Sequence, residues 1–438
     1  MQAFGLTWAL PMEVLLQSSA IEQPSGSEYR HTKGHTSAAS LGSMCWLQVP
    51  KRMVFEVDKP VSMAPWPACL QQLSFGDHFN QPIAEVVLPA SLQQLSFGYE
   101  FNQLIAEVAW PASLQHISFE DRFNQLIAEV VWPASLQQLS FGNQLNQTIA
   151  EVVLPTYLQH LSFGDQFNQP IAEFEWPTSL QQLSFGDQFN QPIAQVVWPA
   201  SLQQLSFGDQ FNQPITEVVW SISLQQISFG WYFNQPIARV AWPSSLLKLS
   251  VGYMFNQPIA GVEWLASLQQ QQLSFGYHFD QPIADVAWPA SLHQLLFGLH
   301  MFNQPIAEVE WPASLRQLSF GRGFNKPIAG VVLPASLQQL YFGYHFNQPI
   351  AEVEWPVSLQ QLSFEDQFDQ PIAEVEWPAF LQQLSFGNHF DQPIAQIVWP
   401  ASLQHLTFGV DFEQPLAGVI WSASLRIVTG EGVSLLRP

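Results

Sequence analysis

Positive charge is scarce in this chain. Its 438 residues carry 13 Lys and Arg against 35 Asp and Glu, a net charge of −22, which speaks against nucleic acid or an anionic membrane surface as a partner. Cysteine is nearly missing. Cys45 and Cys69 cannot make a disulfide framework, and such usage fits a reducing, cytoplasmic setting. No apolar run reaches the roughly 18 residues of a membrane span. The apolar opening from Phe4 to Leu16 lacks a preceding basic residue and is interrupted by Glu13, which argues against a secretory leader. Apolar residues at helical spacing are absent too, so few or no helices are expected. Neither a nucleophile elbow nor a phosphate-cradling loop occurs. His78, His278, His345 and His389 share one loop column but never fall in adjacent copies, so no metal cluster is expected. The absences point away from an enzyme and from any cofactor.

What is present is one sentence repeated. Ser179-Leu180-Gln181-Gln182-Leu183-Ser184-Phe185-Gly186-Asp187-Gln188-Phe189-Asn190-Gln191-Pro192-Ile193-Ala194-Gln195-Val196-Val197-Trp198-Pro199-Ala200 recurs in sixteen copies, its second Leu running from Leu73 to Leu406. The period is 22 residues, with a step of 24 into Leu273 and of 23 into Leu318. A fixed period in this range marks a solenoid. One copy cannot fold alone. Its seven or so apolar side chains gain roughly 1.5–3 kcal/mol each on burial, while ordering its backbone costs about 1–2 kcal/mol per residue. Stacked neighbours must supply the remaining burial and the ladder hydrogen bonds.

Leu183-Ser184-Phe185 alternates at the period of a strand, and Gly186 ends it at a turn. Phe189 and Ile193 return inward, and Val196 with Trp198 reads as a second, shorter extended piece. Two proline columns, typified by Pro192 and Pro199, cannot donate to a ladder and are expected at corners. The fold class that follows is a repeat solenoid, mainly β, of about sixteen coils. At about 4.8 Å between strands it would form a rod or arc of about 80 Å.

Leu-x-x-Leu-x-Phe-Gly-x-x-Phe-Asn-x-Pro-Ile at a 22-residue period resembles the FNIP repeat, a relative of the leucine-rich repeats, from about Pro60 to the end. The resemblance implies a curved, leucine-rich-repeat-like solenoid of a kind often found beside F-box or kinase modules. Phe-Asn-Gln-Pro stands here for the Phe-Asn-Ile-Pro that names the family, a change read as touching a surface position. Residues 1–51 do not repeat. Gln23 to Ser43, rich in Ser, Gly, Thr and His, reads as disordered linker. Leu10 to Leu16 is similar to the opening of an F-box, although the helical remainder does not follow. The solenoid is expected over 52–438, with a degraded cap coil at 52–66 and a partial last coil at 421–438.

Columns of the repeat are the candidate sites. Asn80, Asn102, Asn124, Asn146, Asn168, Asn190, Asn212, Asn234, Asn256, Asn303, Asn325 and Asn347 form one, with Asp280, Asp369 and Asp391 as replacements. Flanked by inward Phe and Ile, this group should be buried and hydrogen-bonded. Asp keeps the acceptor oxygen and loses the amide donors, so acceptance from a neighbouring N–H is the expected role of a structural ladder. The Trp column suggests an aromatic platform, but Leu88, Leu154 and Leu333 replace it as only a packing position would allow. Glu85, Glu107, Glu129, Glu151 and Glu173 read as a solvated face. Flat Gln72/Ser74-type ladders could bind a lattice, yet Lys248, Leu296 and Tyr341 interrupt them.

The strongest local signal is where the repeat stops repeating. After the Gly, the loop pair is polar in most copies, as in Asp187-Gln188. In consecutive middle copies it becomes Trp231-Tyr232, Tyr253-Met254, Tyr277-His278 and Leu299-His300-Met301. Side by side these residues would form an apolar-aromatic strip, the kind of patch that marks a partner site. The expected function is a monomeric, cytoplasmic, non-enzymatic scaffold for a protein partner of unknown identity. The alternative is an F-box-like substrate receptor of a ubiquitin ligase.

Overall fold

The computed structural model describes residues 51–61, 66–264, 272–297, 301–430 and 433–436. The F-box-like segment Leu10 to Leu16, the linker, Cys45, Gln269 to Gln271 of the insertion, Leu299 and His300 lie outside the described residues. Each copy contributes one short strand at its Gln-Leu-Ser segment, as at Gln182–Ser184 and Gln204–Ser206. Among the described residues nineteen strands form one sheet, and none of them is helical. Pairing is parallel and in register, Leu183 against Leu205. Both changes of period are absorbed outside the strands, since Leu249 still pairs with Leu273 and Leu295 with Leu318. Only the last pair departs: Ile427–Gly430 lies parallel to the preceding strand, and Val433–Leu436 turns back antiparallel upon it.

Three turns close each coil. The Phe189 N–H donates to Gly186 O, the Val196 N–H to Ile193 O and the Leu202 N–H to Pro199 O, at 3.0–3.3 Å. Pro192 and Pro199 flank two of these turns, where no ladder donor is needed. At Gly186 a Cβ would sit 2.3 Å from the carbonyl carbon of Gly164, so glycine eases the close approach of coils at that corner, which two other coils make with Glu120 and Glu365. The piece from Val196 to Trp198 alternates inward and outward, with both end residues buried, but it pairs in no sheet.

Leu180, Leu183, Phe185, Phe189, Ile193, Val196 and Trp198 all face inward. Repetition puts like on like. Phe185 stacks on Phe189 at 4.1 Å within its coil and on Phe207 of the next at 5.7 Å, while Phe189 meets Phe211 at 6.1 Å. Offset contacts of this kind add about 0.5–1.5 kcal/mol each beyond burial. Ser201 Oγ donates to the carbonyl of Leu180 at 2.7 Å, tying the position before each first Leu to the coil before it.

The tryptophans are packing residues. Trp132, Trp176, Trp198, Trp220 and Trp242 are buried, and their indole N–H groups have no hydrogen-bond partner. Their surroundings are aromatic: Trp176 lies edge-on to Phe185 at 6.3 Å and stacks on Trp198 at 5.9 Å. The indole nitrogen therefore adds no hydrogen bond to stability, which explains why Leu88, Leu154 and Leu333 can stand in the same column. Trp198→Phe is expected to leave the urea-unfolding midpoint nearly unchanged. Trp198→Ala, which opens a cavity, is expected to cost about 3–5 kcal/mol.

Candidate interaction surface

The loop after each strand inherits its position from the stack. The Gln188 N–H donates to Asp165 O of the previous coil at 2.7 Å, the Tyr232 N–H to Asp209 O at 2.8 Å and the Met254 N–H to Trp231 O at 2.8 Å. This backbone chain continues through both changes of period, with the His278 N–H on Tyr253 O at 3.0 Å and the Met301 N–H on Tyr277 O at 3.2 Å. Side chains at the first loop position are consequently held one above the next. Trp231 and Tyr253 stack at 3.9 Å and 16°, and Tyr253 and Tyr277 at 4.3 Å and 20°. His278 meets Tyr253 edge-on at 5.5 Å. Trp231 is 43% exposed, Tyr232 46% and Met301 47%, whereas Tyr253, Met254, Tyr277 and His278 are half-buried by their neighbours.

Beside this column runs a polar ladder. Asn168 Oδ1 accepts from the backbone N–H of Asn190 at 2.9 Å and from Gln191 Nε2 at 2.9 Å. The unit repeats coil by coil, as at Asn190 with Asn212 and Gln213. Aspartate does the same: Asp280 Oδ1 accepts from the N–H of Asn303 at 2.8 Å and from Gln304 Nε2 at 2.9 Å. The column is half-buried rather than buried, and Asn146 is exposed, because it stands at a corner behind the Phe stack. Two things were not visible in the sequence. The Gln that replaces the family's Ile is half of nearly every rung, not a bare surface position; only at Asn325 does Lys326 stand in its place. Asp58 is also the first rung, accepting from the N–H of Asn80 and from Gln81 Nε2. The strand there, Arg52–Phe55, lies only 20 residues from its partner in register, which hides the alignment.

On the solvent side of the sheet, Gln and Ser rows line a groove of about 390 Å³ from Gln138 to Ser250. Ser96 Oγ donates to Ser74 Oγ at 2.8 Å. Burial, then repulsion from His160, holds the His116 imidazole below its usual range. A further surface was missed in the sequence. Val87, Val131, Val153, Val197 and Val219 point outward, each at least 78% exposed. The signal was the Val196-Val197 doublet, one residue inward and one outward. Glu175, Glu263 and Glu310 interrupt that row, so it forms no continuous patch.

Charge is distributed along the loop column. Asp165, Asp187 and Asp209 occupy it just ahead of Trp231. Lost hydration, then the carboxylates of Asp209 and Asp165, raises the Asp187 carboxyl above its ordinary range. The histidines reach across to the next coil: His389 Nδ1 to Asp411 at 2.5 Å, His345 Nδ1 to Gln367 at 3.0 Å and His78 Nδ1 to Glu100 at 3.8 Å. Among the described residues no group of three His, Cys, Asp or Glu side chains gathers as a metal site.

A parallel sheet wound one strand per coil, with leucines inward, is the architecture of a leucine-rich-repeat solenoid. Residues 67–100, 101–144, 146–188, 175–210, 211–254, 302–345 and 376–411 match the FNIP Repeat family. These matches cover more than half of the chain, which therefore belongs to that family. Among solved structures it is similar to CroV588, described as a novel circular leucine-rich-repeat protein, at 40% identity and a TM-score of 0.78, over 87% of this chain and 60% of that one. It is also similar in fold to a chain of the Toll–Spatzle complex of Drosophila, at 12% identity and a TM-score of 0.62, over 87% of this chain and 55% of that one. The chain thus spans little more than half the length of either. A comparison with curated proteins gave no match. No helix among the described residues is long and apolar enough to cross a membrane.

Replacing Asn190 by Ala removes the acceptor for two hydrogen bonds and leaves the Asn212 N–H without its partner. At about 0.5–1.5 kcal/mol per bond, a loss of about 1–3 kcal/mol is expected from urea titrations. Asn190→Asp, which keeps the oxygen, is expected to stay within about 1 kcal/mol of the parent.

Proposed function

We propose that the chain is a non-enzymatic scaffold that holds a protein partner along its loop edge, with Trp231, Tyr232, Tyr253, Met254, Tyr277, His278 and Met301 as the contact strip. The observation that carries this reading is the surface stack of exposed Trp231 on half-buried Tyr253 and Tyr277, built where other coils place Asp and Gln. Aromatic side chains pre-ordered by their neighbours lose little conformational entropy on binding and are enriched among the residues that dominate interface energetics. The core already uses other columns, so folding does not explain aromatics at this one. The acidic surface keeps such a rod soluble and disfavours nucleic acid as the occupant.

The test is a quantitative capture experiment comparing the parent with Trp231→Ala/Tyr253→Ala. Proteins held by the parent and lost by the double variant, with a thermal midpoint changed by less than about 2 °C, are the expected outcome. An identical set of captured proteins would remove the strip from the mechanism.

A further inference from the structure

The first loop column contains two completed examples of a contact that the middle of the chain leaves half made. Near the start, the Arg122 guanidinium lies over the Tyr99 ring, 5.3 Å from its centroid, and its Nη1 is 3.7 Å from Glu100 Oε1. Further on, Arg322 lies over Tyr344 at 6.0 Å. In each case an arginine of an adjacent coil covers the aromatic face, and at Tyr99 a carboxylate of the same loop closes the site. Trp231 differs. Tyr253 covers one of its faces, and Asp209 of the preceding coil holds its loop, the Asp209 Oδ1 accepting from the Trp231 backbone N–H at 3.1 Å. Among the described residues no arginine or lysine lies over Trp231. The ring is nonetheless 43% exposed, with Asp187 one coil beyond Asp209.

We propose that the uncovered face of Trp231, flanked by the carboxylates of Asp209 and Asp187, receives an arginine side chain from a basic polypeptide partner. Indole is the best of the aromatic faces for a cation, and a planar guanidinium can stack on it while donating to carboxylates at its edge. The two arginines held by the chain itself show that loops of this geometry accept that group. Charge complementarity sets the rest of the occupant. A chain with 35 acidic and 13 basic residues attracts a basic segment over long range. The run Asp165, Asp187, Asp209 extends the track along which such a segment would lie. Lost hydration and mutual repulsion already raise the Asp187 carboxyl, and a bound cation would relieve the repulsion.

This inference rests on the loop edge being the contact strip, and the experiment separates the two. Fluorescein-labelled octa-arginine and octa-lysine are titrated against the full chain by anisotropy at fixed ionic strength. Octa-arginine is expected to bind more tightly than octa-lysine. Trp231→Ala should weaken octa-arginine by about tenfold and Trp231→Phe by less. Asp187→Asn/Asp209→Asn should weaken both peptides, the Asn at 209 still able to accept from the Trp231 N–H. Glu352→Gln/Glu374→Gln removes two charges from a different exposed column and should change octa-arginine affinity by less than about twofold. Unchanged binding to Trp231→Ala, or equal losses in the two double-neutralised variants, would overturn the proposal in favour of diffuse charge attraction. If Trp231→Ala/Tyr253→Ala loses its captured proteins while octa-arginine binding is unaffected, the arginine site falls and the contact strip stands.

Discussion

One oxygen atom per coil sets the register of the whole molecule. The side-chain carbonyl of Asn168 accepts from the backbone N–H of Asn190 and from the amide of Gln191, and the next coil repeats the arrangement. Leucine and phenylalanine burial drives the coils together, but hydrophobic contact is non-directional and would tolerate slippage. A paired acceptor at a fixed corner does not. It aligns each coil with the last to within hydrogen-bond geometry, and the aligned loops that follow are what make columns of side chains possible.

Surface chemistry then follows from position in the repeat. A residue in the first loop position meets its counterpart in the next coil, so Asp above Asp repels and Tyr above Trp stacks. The same rule joins Arg322 to Tyr344 in the first loop position and His389 to Asp411 in the second. Recognition surfaces in such a chain are written as departures from the repeat. Trp231, Tyr253 and Tyr277 depart from it in successive coils, and the bond from the His278 N–H to Tyr253 O holds that alignment although the step from Tyr253 to Tyr277 is 24 residues. Extra length is placed outside the strands, ahead of Gln272 in one coil and in the loop ending at Met301 in the next.

The strands, the inward columns and the absence of helix among the described residues were legible because apolar spacing at Leu180, Leu183 and Phe185 admits one solution when repeated so often. The Trp column was legible as packing from its three leucine replacements. Other features were hidden. Gln191 looks like a surface residue because nothing in its own copy bonds it; its partner is 23 residues back. Asp58 was hidden by a short first coil. The outward row at Val197 contradicts the habit of placing valine inside, and only the buried neighbours on either side reveal its direction. Sequence alone could list the loop aromatics but not their stacking, since Leu183 pairing with Leu205 across a regular step says little about loops beside an irregular one.

The central claim is that register persists through the irregular middle, so that first-position loop residues of adjacent coils stand face to face. Disulfide trapping tests it most directly. In a background with Cys45→Ser and Cys69→Ser, the pairs Trp231→Cys/Tyr253→Cys and Tyr253→Cys/Tyr277→Cys should both oxidise readily, because a coil spacing of about 4.8 Å falls inside the Cα separation of about 4.4–6.8 Å that a disulfide spans. Trp231→Cys/Tyr277→Cys, two coils apart, should remain reduced. Trapping of the first pair without the second would contradict the account, showing that the longer step breaks the column and that the aromatic strip is not continuous.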